Sequence, residues 1–339
     1  MLTIKKIFLF VSTALLILSQ LGASEPDRPD ISNRYSFSFT PSVGILYGRV
    51  EEIVFKYPKG DQYVSQLLWD LKPLIYFGME FRMFPGETFP ENGFFTAGSI
   101  KFGLPFKAGA MENRDWQYPD NENLTNYSWS EAYSQGSVLA DISAGSSWVL
   151  NDSLTLDLYG QFSFMHFSWM AENGYYQYLE TTDGVINPGQ IWHEDIPKIG
   201  IFGPGIRYIQ NWFILSPGFT LRGKIAQHFT TGISFNYSPL VFCIARDDHL
   251  MRNIIFWDSL FLGHYINGSC NISIRTNGNT ELSLALSYRL ITELRGPSFQ
   301  ARTGANQSGR PTQSTRDAGA GFSAFDLSLA MKIPLFGRN

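Results

Sequence analysis

The chain has 339 residues, 17% of them charged and 15% aromatic, with 31 glycines and a formal net charge of −4. Beyond its amino terminus it has no apolar run long enough for a membrane helix, which excludes a helical membrane protein. So little charge with so many aromatics and glycines fits a transmembrane β-barrel, with its apolar lipid face and aromatic girdles, better than a secreted β-sandwich.

Residues 1–23 read as a secretory signal peptide. Lys5 and Lys6 form its basic region, Ile7 to Leu18 its apolar core, and Gly22-Ala23-Ser24 its small-residue end. Residues 24–339 then form one domain, an all-β transmembrane barrel. Its first strand, SVGILYGRVEEIVF, turns Val43, Ile45 and Tyr47 to lipid and Glu52 inward. Trp69 in the following YVSQLLWD, like Trp116 further on, reads as an interfacial anchor, because Trp is enriched where bilayer meets water. In SIKFGLPFKAGAMENRDW, Ile100, Phe102, Leu104 and Phe106 take the apolar face. Lys101, Lys107, Asn113 and Asp115 take the opposite one, pointing inward near the outer rim. Leu154, Leu156 and Leu158 alternate in SLTLDLYG, and Phe162, Phe164 and His166 fall on outward positions.

Phe235 and Tyr237 face out on odd numbers, but Leu240, Phe242 and Ile244 on even ones. That change of phase calls for one extra residue, a β-bulge near Pro239. Past it, in ARDDH, Asp247 and His249 point inward together and Asp248 points away. The clearest alternation comes late. Leu282, Leu284, Leu286, Tyr288 and Leu290 share one face of ELSLALSYRL, and Leu327, Leu329, Met331 and Ile333 one face of FDLSLAMKI.

Short turns (84–92, 150–152, 226–230 and 276–280) alternate with longer polar segments (56–66, 114–134, 170–196, 246–252 and 296–318). The last of these has no apolar period and reads as a mobile loop. Such a pattern implies about ten strands, with tight periplasmic turns, long extracellular loops and a lumen mostly filled or narrowly hydrated. Cys243 and Cys270 allow one disulfide at most and are expected to be unpaired, on neighbouring strands at different heights.

Parity thus gathers Glu52, Asn113, Asp115, Asp247 and His249 on the inner face at the mouth of the barrel. The chemistry open to such a group is definite. An aspartate held against an imidazole fixes its tautomer and raises its basicity, so that the histidine can take a proton from water. A second acidic group opposite can bind that water and stabilise a tetrahedral intermediate. No serine or cysteine nucleophile is required. A strand end meeting water also collects charge without any catalytic purpose, and metal binding by Asp247 and His249 is a sparse alternative.

At these residues the sequence resembles the omptin family of outer-membrane endopeptidases. YGRVEEIVF with YVSQLLWD resembles the family's first hairpin, MENRDW its segment with two catalytic aspartates, and ARDDH its Asp-x-His segment. GAGFSAFDLSLAMKIPLF is similar to its closing strand. The resemblance implies a ten-stranded barrel whose Asp/His site activates water. It makes Asp247 and His249 the catalytic couple and Asp115 the second aspartate of the opposing couple. Glu52 becomes a ligand for a basic side chain on the amino side of the cleaved bond, and Ser128 matches a family serine near the site. Three acids of the pattern are neutral here. Asn113 stands at the first opposing aspartate, Ala245 at the second acid of the basic-residue pocket, and Asn126 at an acid of the next subsite. The family's lipopolysaccharide contacts are poorly matched by Phe162, Phe164 and His166.

The resemblance therefore implies an outer-membrane endopeptidase that acts at basic residues and needs no cofactor. Its expected partners are outer-membrane lipid and polypeptides or extracellular host proteins at the loops, with no nucleic acid, and the chain is expected to be a monomer. The alternative is a catalytically weak or inactive barrel of the same ancestry that serves as an adhesin or binding protein. A small-solute channel is a third class, opposed by bulky inward side chains such as Lys101, Lys107 and Arg289.

Overall fold

Each run with a regular apolar face is a paired strand in the computed structural model, which describes residues 35–56, 62–85, 93–117, 123–182, 185–186, 190–276, 280–303 and 311–336. The signal peptide expected at 1–23 and most of the turn at 84–92 lie outside the described residues. The strands are β1 (Tyr35–Phe55), β2 (Tyr63–Pro85), β3 (Gly93–Gly103), β4 (Lys107–Asp115), β5 (Asn126–Asn151), β6 (Leu154–Tyr178), β7 (Thr181–Thr182) and β8 (Val185–Ile186). They continue with β9 (Ile199–Ala226), β10 (Phe229–Ser238), β11 (Val241–His249), β12 (Ile254–Phe261), β13 (Tyr265–Arg275), β14 (Glu281–Arg302) and β15 (Thr312–Phe336). All but β7 and β8 join one antiparallel sheet that closes where β15 pairs with β1. Three staves are each broken into two successive strands, β3 with β4, β10 with β11 and β12 with β13, which leaves a ring of about ten staves.

Lipid sets the outer face. Val43, Ile45 and Tyr47 on β1, Leu282, Leu284, Leu286 and Tyr288 on β14, and Phe325, Leu327, Leu329 and Met331 on β15 are exposed large apolar side chains. Tyr47, Phe325 and Tyr288 lie side by side in the register and mark the upper edge of this belt. On β11 the belt ends at Ile244. Phe162 is exposed on the same face, Phe164 packs on Phe213 at 5.3 Å between ring centroids, and His166 Nδ1 meets Asn211 Oδ1 at 2.8 Å.

The sheet does not stop at the belt. β14 runs on to Arg302 and β15 starts at Thr312, so most of 296–318 is paired strand and not a mobile loop. β5 likewise starts at Asn126 and β6 reaches Tyr178, inside segments that read as loops. Above the lipid both faces of a strand meet water, so the hydrophobic alternation vanishes while the hydrogen-bond ladder continues.

The lumen is filled from side to side. At its lower level Asp157 is held by Arg82 at 2.8 Å and Arg222 at 3.0 Å. Higher up, Asp326 accepts hydrogen bonds from the Tyr76 hydroxyl and from Lys101 Nζ, each at 2.5 Å, with Arg289 buried nearby. Above these lies an aromatic layer. Trp69 stacks on Tyr208 at 5.3 Å, Phe167 stacks on Trp169 at 5.5 Å and on Phe322 at 5.5 Å. Small residues on β15, Ala318, Ala320 and Ala324, are buried around Phe322 and leave room for the indoles. Trp69 is thus a fully buried lumen residue and not an interfacial anchor. Its inward parity outweighs the general preference of Trp for interfaces.

Two irregularities aim the staves that carry the mouth residues. Between Asn236, opposite Gly218, and Val241, opposite Ile214, there are five steps against four on β9. The extra residue expected near Pro239 is present, and Ser238 fills the gap by donating to the Leu215 carbonyl at 2.6 Å and accepting from the Leu240 N–H at 2.8 Å. The second lies between β3 and β4. Lys101 is inward, but Lys107 is half exposed and pairs with Glu131 at 2.5 Å, so its expected inward position is wrong. The chain leaves the ladder after Gly103 and shifts register again between Lys107 and Gly109. Two reversals cancel, which returns Met111, Asn113 and Asp115 to the inner parity. Both cysteines are free, Cys243 buried and Cys270 exposed.

Candidate active site

The belt ends below Asp247, His249, Glu52, Asp258 and Asp115, all of which stand in the part of the barrel above lipid. β11 carries Asp247 and His249 inward, in register with Tyr208 and Ile206 of β9 and with Phe256 and Ile254 of β12. His249 Nε2 meets Asp247 Oδ2 at 2.5 Å, and the edge of the imidazole packs on Phe256 with ring centroids 5.5 Å apart. Asp248, facing away, is buried nonetheless. Arg207 clamps it from one side and Arg246 Nε donates to it from the other at 2.6 Å. This outer clamp ties β9 to the segment that carries the couple.

On the opposite side, β4 brings Asn113 and Asp115 to the same mouth. Asp70 secures the bulge beneath them, accepting the Ala110 N–H at 3.1 Å and pairing with Lys72 at 2.6 Å. Gly109 there has φ of 123°, and a Cβ at this position would lie 2.6 Å from Asp70. Only glycine adopts that backbone without strain. The Ser65 hydroxyl lies 2.7 Å from Asp115 Oδ1 and 3.1 Å from Asn113 Oδ1, so its single proton serves one of them at a time. Asn113 Nδ2 donates toward Asp115 Oδ2 at 3.4 Å.

Glu52 sits between the two halves on β1. Trp69 Nε1 donates to its Oε2 at 3.2 Å. Below it Gln210 Nε2 donates to the Tyr208 hydroxyl at 2.8 Å, while Trp212 Nε1 donates to Gln210 Oε1 at 3.0 Å. These buried polar groups support one another behind Glu52, which lines an open cavity of about 850 Å³. Glu52, Asn113, Asp115, Asp247 and His249 all line it. The structure therefore brings together the five residues that parity places at the mouth. Asn126 and Ser128 are buried on β5, directly across from Asp115 and Asn113 and on the same inner face, and Ala245 is buried on β11 with the parity of Asp247, but none of the three lines the cavity.

Burial dominates the electrostatics. It raises the Asp247 carboxyl, an effect opposed by the hydrogen bond with Glu52. It holds His249 down to about 4, with the positive charge of Arg252 acting in the same direction. Glu52 is raised well above the ordinary carboxylate range by burial and by the charges of Asp247 and Asp258. Asp115 is raised by burial, an effect opposed by the hydrogen bond from Ser65. The imidazole is therefore neutral over most of the working range and can accept a proton. Among the described residues no group of three His, Cys, Asp or Glu side chains is arranged to hold a metal ion.

Four residues at the site were missed by reading the sequence alone. Ser65 shares the inward parity of Leu67 and Trp69 and was recoverable from it. Arg252 and Tyr178 line the cavity from segments that read as loops, without a period to orient them. Asp258 was recoverable by pairing outward from the turn after His249, since His249 opposite Ile254 sets Ala245 opposite Asp258.

The sequence profile of the Omptin family matches residues 33–335 of the chain. The chain belongs to the omptin family. Two similar relatives are the outer membrane protease IcsP of Shigella flexneri and the plasminogen activator of Yersinia pestis. The first is 24% identical over 278 residues, covering 79% of this chain and 81% of the relative. The second is 24% identical over 293 residues, covering 84% and 86%. The crystal structure of the outer membrane protease OmpT from Escherichia coli matches the fold with a TM-score of 0.74 at 18% identity, over 88% of this chain and 97% of that one. This omptin is accordingly an outer-membrane β-barrel of a protease family.

Proposed function

We propose that this omptin is an endopeptidase in which the Asp247–His249 couple activates water against Asn113 and Asp115. The observation that carries the reading is the 2.5 Å contact between His249 Nε2 and Asp247 Oδ2 on the wall of the cavity that Asp115 also lines. With Nε2–H donated to Asp247 in its carboxylate form, Nδ1 is the ring nitrogen that takes a proton from water. Asn113 and Asp115 hold that water, Asn113 as a neutral donor and acceptor, Asp115 as a carboxyl whose proton affinity burial has raised. The hydroxide adds to the peptide carbonyl carbon, the carbonyl oxygen becomes an oxyanion, and amide N–H, Asp115 and the Arg252 charge stabilise it. His249 then returns its proton to the leaving amine as the C–N bond breaks. Glu52 favours a basic side chain on the amino side of that bond.

The test is a peptide-library cleavage assay of the refolded barrel against His249→Ala. Wild-type cleavage that disappears in the variant supports the mechanism, and cleavage that persists excludes it. If wild type cleaves no peptide, the barrel is a binding protein instead, a reading favoured by the amide at Asn113.

A further inference from the structure

A buried carboxylate normally has a cation, several donors or a proton to compensate it. Asp258 of β12 stands apart in this respect. It is buried, it lines the cavity with Glu52, and the Ser298 hydroxyl hydrogen-bonds its carboxyl. Its other oxygen, Oδ1, is buried with no hydrogen-bond partner among the described residues. Across the β11–β12 pair it faces Ala245, whose methyl group can neither compensate the charge nor fill the space of a longer side chain. Asp247, two residues along β11, also has a buried Oδ1 without a partner among the described residues. The cavity therefore has two acids in its lining, Glu52 and Asp258, and an oxygen of Asp258 buried at its wall without a hydrogen-bond partner among the described residues.

We infer that Asp258 is a specificity-determining residue, supplying, together with Glu52, the charge that binds the guanidinium or ammonium group of a substrate side chain. The inference rests on the proposed peptidase reading for its substrate, but the pocket itself can be probed without turnover. A planar guanidinium offers several donors, enough to reach Glu52 Oε atoms and Asp258 Oδ1 at once, which a single carboxylate cannot fully satisfy. The charge at this place sits on the neighbouring strand and not on β11, because Ala245 and Asp258 are cross-strand partners and share one patch of the wall.

The experiment uses the full-length barrel refolded in detergent, as wild type, Asp258→Asn, Asp258→Glu and the relocated pair Ala245→Asp/Asp258→Asn. Calorimetry measures binding of argininamide and of its neutral isostere citrullinamide. Cleavage assays measure the ratio of kcat/KM for matched peptides with arginine or citrulline before the scissile bond. Asp258→Asn is expected to lower argininamide affinity and the arginine-to-citrulline ratio at least tenfold. Asp258→Glu and the relocated pair should restore most of both. An unchanged affinity and ratio in Asp258→Asn would overturn the inference, leaving Glu52 as the sole selector. Displacement of argininamide by millimolar calcium or magnesium, lost in Asp258→Asn, would also overturn it in favour of a metal site. Argininamide binding that depends on Asp258 in a barrel that cleaves nothing would sink the peptidase reading and keep the pocket.

Discussion

Replacing Asn113 by Asp puts a second carboxyl beside Asp115 and probes the opposing half of the site directly. Asn113 Nδ2 lies 3.4 Å from Asp115 Oδ2, so in the variant two carboxylate oxygens take up about that separation. Two unit charges about 4 Å apart repel by about 4 kcal/mol at an effective dielectric constant of about 20. That corresponds to about 3 pKa units on the second ionisation. The folded variant therefore keeps one proton between the two carboxyls, while the unfolded chain loses both near their ordinary value of about 4. Between those two values the folded state binds the extra proton, so its stability relative to wild type falls as pH rises and levels off once that proton has gone. Urea unfolding of the refolded barrel at pH 5 and pH 8 measures the part of this that falls above pH 5, with the variant expected to lose about 2–3 kcal/mol more than wild type at the higher pH. The retained proton also gives the site an acid that Asn113 lacks, and turnover of a cleaved peptide should rise about tenfold or more near pH 6. A stability gap that is the same at both pH values would refute the reasoning, since it would mean that the two side chains do not share a proton.

His249, held to about 4, should give kcat/KM an acid limb centred near pH 4, whereas an unperturbed imidazole would place it near 6.5; a pH–rate profile decides. The same depressed value makes folded His249 the poorer proton acceptor between about 4 and 6.5, so its contribution to stability is full above that window and declines as pH falls through it. Trp69→Phe keeps the stack on Tyr208 but removes the donor to Glu52, and should cost about 1–3 kcal/mol in urea unfolding while raising KM for peptides with a basic residue. Gly109→Ala forces a side chain into a left-handed backbone against Asp70, costing about 1–3 kcal/mol and displacing Asn113 and Asp115; activity should fall more than in a Gly160→Ala control, where a Cβ meets open space.

The sequence made the barrel legible where lipid touches it. Leu282 to Tyr288 and Leu327 to Met331 alternate because one face meets hydrocarbon and the other a packed lumen. The same rule fell silent above the belt. Gln300, Arg302, Gln313 and Thr315 belong to paired strands, but water lies on both of their faces and nothing selects apolar residues on either. Trp69 was misread through a preference that averages over many proteins, although its own parity beside Leu67 gave its direction. Asn113 and Asp115 were placed inward by a count that crossed two unseen reversals, and Lys107, lying between those reversals, came out on the wrong side. Asp258 was invisible as a motif, because its meaning comes from the residue across the hairpin and not from its neighbours in sequence.

The packed lumen has one more consequence. Layers of aromatic rings and ion pairs, from Trp69 and Phe322 down to Asp326, Lys101 and Asp157, leave the cavity with a floor. Whatever enters the cavity meets that floor, and His249, on the cavity wall, exchanges protons through the mouth. A barrel so packed has the form of a cup, with Asp247 and His249 set in its bowl.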